Sequence, residues 1–140
     1  MKVLLAVDGS DYTKRMLTYL AAHDELLGPE HDYTAVHVVT PIPPHAARHI
    51  DRKTLEDYYH DEARKVLDPV ARLAAQRGWK IAMAHHQGHA AEEIAALAQS
   101  GGFDLIVMGT HGHSALGNLV LGSVASGVLA RARKPVLLVP

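Results

Sequence analysis

Short apolar runs alternate along this chain with longer segments of helical periodicity, and this alternation restricts the possible folds more than any other feature. The first run, KVLLAVD at 2–8, is continuously apolar up to its final carboxylate, which is typical of a strand buried on both faces. Further runs rich in apolar and β-branched residues predict strands at 33–39, 79–88, 103–109 and 135–140.

The segments between these runs carry the apolar spacing of helices. The spacing predicts helices at 11–27, 51–77, 90–100 and 123–134, and a Pro-rich loop at 40–50. Gly28 and Pro29 end the first predicted helix, and Gly78 ends the second. Pro69 lies inside the second helix, where the lost backbone donor costs about 3 kcal/mol, so we expect a kink or break there.

Strands that alternate with helices predict a doubly wound α/β fold of the Rossmann-like kind. We expect a five-stranded, mostly parallel sheet with helices on both faces, formed by a single domain over residues 1–140. Ligands of such sheets bind beyond the carboxyl ends of the strands, where the strand order switches direction. Asp8, Val39 and Gly109 each end a predicted strand, so we expect them to come together.

The composition excludes several classes of function. The sequence has no cysteine, which rules out disulfides, thiol catalysis and cysteine-ligated metals. A net charge of −1 gives no overall attraction to nucleic acid or to a membrane surface, so we expect neither as a partner. The apolar run at 3–7 is too short for a signal sequence or a membrane span, and we expect a cytoplasmic protein.

Two known phosphate-binding signatures are absent, and a third is a weak match. Strand one is followed by DGSDYT rather than GxGxxG, and GxxxxGK[ST] occurs nowhere in the sequence. SGGFD at 100–104 is similar to the start of the pyrophosphate loop of ATP pyrophosphatases. It precedes a strand instead of following one, and Leu105 replaces the hydroxyl residue, so we interpret it as the end of a helix.

The segment GTHGHSALGNLVLGS at 109–123 is the strongest candidate for binding. Gly109 and Gly112 follow a buried strand, where missing side chains let backbone N–H groups approach an anion. Gly122 and Ser123 open the last helix, whose free N–H groups and partial positive charge favour phosphate. The residues alone leave two interpretations open: a phosphate-binding loop, and a flexible Gly-rich loop followed by a capped helix.

The spacing G-x2-G-x9-G-[ST] resembles the nucleotide-binding signature of the universal stress protein family. The resemblance extends over nearly the whole chain: KVLLAVDGS resembles the first strand of the family with its terminal aspartate, and AVHVV resembles the second strand. The block from DLIVMG at 104–109 to PVLLVP at 135–140 resembles the C-terminal part of the family almost continuously.

This resemblance implies the ATP-binding subgroup, with an adenine nucleotide alpha hydrolase-like fold. It implies that backbone at Val38 lines the adenine pocket, and that Asp8 lies by the ribose or an associated Mg²⁺ or Mn²⁺ held mainly by the phosphates. The alternative for Asp8 is a turn or cap residue before the first helix. The full set of implied binding residues is Ala6, Val7, Asp8, Val38, Met108, Gly109, His111, Gly112, His113, Gly122, Ser123 and Val124.

The sequence departs from the family at His113, because members commonly carry Arg or Lys after the second glycine. No Lys or Arg occurs between Lys80 and Arg131, so phosphate binding would depend on backbone N–H groups, the helix dipole and histidine. A neutral imidazole attracts phosphate far less than arginine does. We therefore expect weaker nucleotide binding, which improves as the pH falls from about 8 to about 6.

Histidine is abundant, with 11 residues, and most are interpreted as polar surface residues. The spacings HxH at 111–113 and HHxxH at 85–89 also occur in zinc sites, which need three or four converging ligands. Metal binding by His85, His86, His89, His111 and His113 is therefore an alternative.

No residues of this sequence stand out as a nucleophile and its base, and no catalytic residue is predicted. Ser123 would lie beside His111 only if the loop between them brings the two residues together, and no acid is available to orient that histidine. We predict a small ATP-binding sensor or regulator that acts through unidentified protein partners. The alternatives are a slow ATPase and a dimeric scaffold that binds no nucleotide. The resemblance also suggests a homodimer that pairs the strand at 135–139 with its copy, which would cover an apolar edge.

Overall fold

The computed structural model describes residues 1–113, 118 and 120–140, and its strands form one five-stranded sheet. The strands are β1 (Lys2–Ala6), β2 (Asp32–Val39), β3 (Ile81–Gln87), β4 (Leu105–Gly109) and β5 (Val136–Val139). They lie in the order β3-β2-β1-β4-β5, and every neighbouring pair is parallel. The predicted five-stranded parallel α/β fold is confirmed, and its strand order switches direction between β1 and β4.

The long helices lie close to the predicted positions, but the first is split, the last ends at Arg131 rather than at 134, and the predicted loop contains a short helix. The helices are α1 (Asp11–Ala22), α2 (Asp24–Leu27), α3 (Pro44–Ala47), α4 (Arg52–Gln76), α5 (Ala90–Ser100) and α6 (Ser123–Arg131). The predicted first helix is split at His23, whose backbone is non-helical and whose ring Nδ1 lies 2.8 Å from the Tyr19 carbonyl. The predicted loop at 40–50 contains α3, because Pro44 stands at a helix start, where proline is tolerated.

Helix α4 continues through Pro69, so of the predicted kink or break the break is wrong and the kink stays a prediction. Pro69 and Lys65 both lie on the exposed side of the helix. Because proline has no backbone N–H, the carbonyl of Lys65 has no hydrogen-bond donor within the helix. A carbonyl on the exposed side of a helix can be hydrated, which lowers the cost of the missing donor, and the helix continues to Gln76.

The sheet buries a separate hydrophobic cluster on each face. We call the first the α1/α4 face; it contains the large side chains of Met16, Tyr33 and Tyr59 packed on β1, β2 and β4. We call the second the α5/α6 face, where alanines such as Ala98 and Ala125 pack on the opposite sides of the same strands. Successive strand residues alternate between the two faces, as a sheet buried on both sides requires.

In the part of the chain that the structure describes, no helix is both long and apolar enough to cross a membrane. The cytoplasmic location stays a prediction.

Candidate functional site

A cavity of about 260 Å³ lies at the carboxyl ends of β1, β2 and β4, where the strand order switches. The first turns of α5 and α6 close it on one side, and the loop after β4 closes it on another. Asp8 and Gly109 meet here as predicted, but Val39 does not line the cavity. Val39 is buried on the α1/α4 face, and its neighbour Val38 points to the cavity side of the sheet.

All of the residues that the resemblance implies lie around this one cavity. Their role as nucleotide ligands stays a prediction. The lining also includes residues that were not predicted from the sequence, namely Thr13, Val36, His37, Ala90, Ile94 and Ala125.

These additional residues follow from the fold rather than from a motif. Val36 alternates with Val38 on β2, so a strand assignment places both on one face. Ala90 and Ile94 are four residues apart on α5 and share one face of that helix. That spacing was visible in the sequence, but nothing in the sequence placed α5 beside the Gly-rich segment.

The cavity has an apolar part and a polar part. The apolar part is continuous with the hydrophobic cluster of the α5/α6 face and includes Val36, Val38, Ile94 and Met108. The polar part is formed by the residues that follow β1 and β4 and by the start of α6. The polar residues of the lining are Asp8, Thr13, His37, His111, His113 and Ser123.

The two carboxylate oxygens of Asp8 have different surroundings. Oδ1 accepts hydrogen bonds from the Ser10 backbone N–H at 2.9 Å and from the Thr13 hydroxyl at 3.0 Å. Oδ2 is turned toward Gly112 on the other side of the cavity. Through Oδ1, Asp8 stabilises the turn before α1, which is the alternative given for it in the sequence analysis. Its other carboxylate oxygen is directed at the Gly-rich segment.

Hydrogen bonds determine the protonation of Asp8. Burial alone would raise the pKa of this carboxyl, but the hydrogen bonds from Ser10 and Thr13, together with the charge of His113, lower it below the ordinary value of 3.8. Asp8 is therefore ionised at neutral pH and acts only as a hydrogen-bond acceptor.

Three glycines of the segment are required by close packing inside the protein. Of Gly109, Gly112 and Gly122, none has a positive φ, so backbone conformation does not explain them. A Cβ would lie 2.7 Å from the Tyr12 Cβ at Gly109, and 2.6 Å from Asp8 Oδ2 at Gly112. At Gly122 it would lie 3.0 Å from the backbone of the loop after β4.

The start of α6 offers backbone donors to the cavity. The Gly122 N–H is not among them, because it donates to the Thr110 carbonyl at 2.7 Å. No side chain caps this nine-residue helix within the described residues. Its first helical residues, Ser123, Val124 and Ala125, line the cavity, and helix geometry leaves their N–H groups without an intrahelical partner.

The histidines of the cavity are held by different partners. His37 Nδ1 lies 2.9 Å from the Val7 carbonyl, and His113 Nε2 lies 2.7 Å from the Asp8 carbonyl. His111 Nδ1 lies 2.9 Å from the Thr110 hydroxyl, and its ring packs against Tyr12 at 5.1 Å between centroids. These hydrogen bonds join the three rings to backbone and hydroxyl groups, and His111 also packs on an aromatic ring.

The described residues contain no group of three or more potential ligands that could hold a metal ion. The HHxxH spacing does not converge, because adjacent residues of β3 point to opposite faces of the sheet. His85 packs its ring against His60 of α4, at 5.9 Å between centroids, whereas His86 pairs with Glu93 of α5 at 3.4 Å. The alternative of a metal site formed by these histidines gains no support.

The sequence matches the model of the universal stress protein family over residues 1–140. It is 34% identical over 137 residues to the "universal stress protein in QAH/OAS sulfhydrylase 3'region" of Thermus aquaticus. That alignment covers 98% of this chain and 96% of the relative. The similarity therefore extends well beyond the Gly-rich segment.

Solved structures have the same fold. Protein MJ0577 of Methanocaldococcus jannaschii has a TM-score of 0.80 at 27% identity, over 99% of this chain and 94% of its own. A universal stress protein from Archaeoglobus fulgidus in complex with dAMP has a TM-score of 0.70 at 22% identity, over 100% of this chain and 98% of its own. Two other similar structures contain cAMP and AMP.

Proposed function

Because this chain belongs to the universal stress protein family, we propose that it binds ATP in the cavity at the ends of β1, β2 and β4. We further propose that it acts as a sensor or regulator rather than as a fast enzyme. The observation that carries this proposal is the arrangement of the cavity, which joins an apolar slot to an uncapped helix N-terminus at the strand-order switch.

The apolar part of the cavity suits a nucleobase. Val36, Val38 and Met108 provide a flat apolar surface along the strand ends, and Ile94 of α5 faces them. Adenine is a planar ring system that gains from such a surface, while strand backbone at Val38 supplies hydrogen-bonding groups at its edge. The cAMP, AMP and dAMP in similar structures agree with an adenine ligand.

The polar part of the cavity suits phosphates. The first residues of α6 line it, their N–H groups would be donors to a phosphate, and Ser123 would add a hydroxyl. Lys and Arg are absent from the described lining, so backbone donors and the helix dipole would carry most of the attraction. Mg²⁺ would be held mainly by the phosphates, with Asp8 as the nearest carboxylate of the lining.

The size of the cavity agrees with a nucleobase in the apolar part and phosphates in the polar part. Its volume of about 260 Å³ lies just below the range of roughly 300–1,000 Å³ for sites that enclose small ligands. Base and sugar would fill it, and the phosphates would extend along the edge formed by Gly112 and Ser123.

The hydrogen bonds of the polar part favour a sensor over an enzyme. Asp8 is the only carboxylate of the described lining, and its acceptor oxygen is bonded to Ser10 and Thr13 rather than to a histidine ring. His113 contacts the backbone carbonyl of Asp8 and not its carboxylate. Among the described residues, Asp8 and His113 are thus not paired as the orienting acid and base that activate a nucleophile.

Mass spectrometry of nucleotide that copurifies with the protein, followed by a phosphate-release assay, tests the proposal. We expect bound adenine nucleotide without turnover. Ser123→Ala should weaken ATP binding roughly fivefold, as for one lost hydrogen bond. Ser126→Ala, one turn further along α6 and exposed, is the matched control and should change nothing.

Other outcomes would assign a different function. Phosphate release that Asp8→Ala abolishes would indicate a slow ATPase. Absence of both binding and release would indicate a scaffold. The pH dependence predicted from His113 is tested by titrating ATP with Mg²⁺ near pH 6 and near pH 8. Equal or tighter binding at the higher pH contradicts it.

We also propose that the protein forms a homodimer through β5, within the predicted segment 135–139. β5 is an edge strand, and its Leu137 and Leu138 are only partly buried. The carbonyls of Pro135 and Val139 accept hydrogen bonds from β4, so the intervening backbone at Val136 and Leu138 faces the open edge.

Light scattering tests the dimer. The wild type should have twice the mass of the chain, and Leu138→Pro, which removes an outward donor, should be monomeric while keeping its circular dichroism. A monomeric wild type would contradict the proposal.

A further inference from the structure

Thr13 is a buried polar residue in the first turn of α1, and it is not among the residues that the family resemblance implies. It is 5% exposed, and it borders the cavity together with Asp8. Its hydroxyl accepts a hydrogen bond from the Asp8 backbone N–H at 3.0 Å and donates one to Asp8 Oδ1, also at 3.0 Å. The backbone and the side chain of Asp8 are therefore both held by one hydroxyl group.

These two bonds use most of the hydrogen-bonding capacity of the Thr13 hydroxyl. Such a hydroxyl has one hydrogen to donate and two lone pairs to accept with. Its hydrogen is donated to Oδ1 of Asp8, and one lone pair accepts the Asp8 N–H. Because Thr13 has no further hydrogen to donate, its main route to a ligand in the cavity is through Asp8.

The contacts of Asp8 leave one carboxylate oxygen for the cavity. Oδ1 accepts from the Ser10 N–H as well as from Thr13, so two donors hold it at the turn before α1. Oδ2 lies on the side of Gly112, and among the described residues no donor bonds to it. Because Oδ1 is held, the carboxylate cannot rotate freely, and Oδ2 keeps its direction.

We propose that Thr13 is a positioning residue for the nucleotide, which holds the Asp8 carboxylate so that Oδ2 alone faces the ligand. The ligand then meets one fixed acceptor, which suits an electropositive group: a hydroxyl hydrogen of the nucleotide or a cation held by its phosphates. A group that is held in place before binding loses less conformational freedom when the ligand arrives. This inference rests on the proposed nucleotide binding and adds a residue that acts through Asp8.

Titration calorimetry of ATP with Mg²⁺ into wild type, Thr13→Ser and Thr13→Val tests the proposal. Valine has nearly the shape of threonine but no hydroxyl, so Oδ1 loses a donor, and ATP should bind roughly fivefold more weakly. Thr13→Ser keeps the hydroxyl and should bind as the wild type does. Thr13→Cys has a weak donor and should fall between them, and it takes the place of Thr13→Val if the valine variant does not fold.

A double-mutant cycle with Asp8→Ala separates action through Asp8 from direct contact with the ligand. In the Asp8→Ala background, Thr13→Val should change the ATP affinity by less than about twofold. Thr18→Val is the matched control, because Thr18 is an exposed residue of the same helix, away from the cavity lining, and it should keep the wild-type affinity. An equal loss for Thr13→Val in both backgrounds, or no loss in either, would overturn the inference while leaving nucleotide binding intact.

The same titrations in EDTA identify the group that meets Oδ2. An effect of Thr13→Val that persists without Mg²⁺ assigns Oδ2 to a hydroxyl of the nucleotide, and an effect that requires Mg²⁺ assigns it to the cation. Both results support positioning by Thr13. Failure of the wild type to bind ATP under either condition would overturn the inference together with the proposed function.

Discussion

The two faces of the sheet share their strands but are built from side chains of different size. On the α1/α4 face, Tyr33, Tyr59 and Met16 fill the space against the sheet, and Trp79 packs at its margin. On the α5/α6 face, several helix residues are alanines, such as Ala98 of α5 and Ala125 of α6, and the two helices approach so closely that a Cβ at Gly127 would lie 2.6 Å from Ala91. The cavity at the strand ends opens on this second face.

Because of this difference, one face of the sheet mainly stabilises the fold and the other face holds the candidate binding cavity. Large apolar side chains gain the most from burial, so the α1/α4 face contributes most of the hydrophobic stabilisation. The small side chains of the α5/α6 face leave space at the carboxyl ends of the strands. Substitutions on the first face should therefore have the larger effects on folding, and substitutions that only fill the cavity should act mainly on the ligand.

The largest effect is expected for Leu5→Ala on the α1/α4 face. Leu5 is fully buried in β1, and the substitution should lower the free energy of unfolding by about 2–5 kcal/mol. Urea unfolding measures it. Leu26→Ala is the matched control, because Leu26 is 60% exposed, and it should change stability by less than about 0.5 kcal/mol. Equal effects at the two positions would contradict the assignment of the core.

Gly112→Ala should have a smaller effect, through its contact with Asp8. The added Cβ would lie 2.6 Å from Oδ2, so we expect a loss of about 1–3 kcal/mol in the free energy of unfolding. In an Asp8→Ala background the contact is gone, and the same substitution should cost less than half as much. A cost that is the same in both backgrounds would show that Asp8 is not the obstacle.

Asp8→Asn should change the pH dependence of stability. The pKa of Asp8 is lowered in the folded state, so its ionised form stabilises the protein above the unfolded pKa of about 4. This contribution is lost as the pH falls through the folded-state pKa. The difference in urea midpoint between wild type and variant should be constant from about pH 7 to 5 and shrink below about pH 4.

Thr13→Ser is the matched control for this pH dependence, because it keeps the hydroxyl that donates to Asp8 Oδ1. It should retain the wild-type profile. A difference between wild type and Asp8→Asn that persists unchanged below pH 4 would contradict the stabilisation of the ionised carboxylate.

Ala125→Leu should have the smallest effect on folding. Ala125 is buried but borders the cavity, so the larger side chain has room, and the free energy of unfolding should change by less than about 1 kcal/mol. Ala98→Leu is the matched control on the same face. Ala98 is fully buried away from the cavity, and overpacking there should cost about 1–3 kcal/mol. Equal costs would contradict the open cavity.

The sequence predicted the sheet well, because continuous apolar runs such as 2–7 occur when both faces of a strand are buried. The helix boundaries were less predictable, because they depend on individual backbone conformations. His23 interrupts an apolar pattern that continues on both sides, and Pro69 is tolerated only because its side of α4 is exposed. Neither fact is visible in the periodicity.

The motif spacing and the family resemblance correctly predicted cavity residues from β1, β2, β4 and α6. Thr13 and Ala90 were missed because they reach the cavity from other helices, through the packing of the fold. The glycines were predicted for approach to an anion, whereas packing within the protein already requires them at Gly109 and Gly112. Within the Gly-rich segment, Val120 is 94% exposed, whereas Leu121 packs against the cluster of the α5/α6 face.

Titration calorimetry of ATP with Mg²⁺ into wild type and Ala125→Leu is the most direct test of the division between the two faces. If the cavity on the α5/α6 face is a nucleotide-binding site, the wild type binds one ATP per chain. The variant, with its stability preserved, should then bind at least about tenfold more weakly, a difference of about 1.4 kcal/mol. Equal affinity in the two proteins, or no saturable binding to the wild type, would contradict the account.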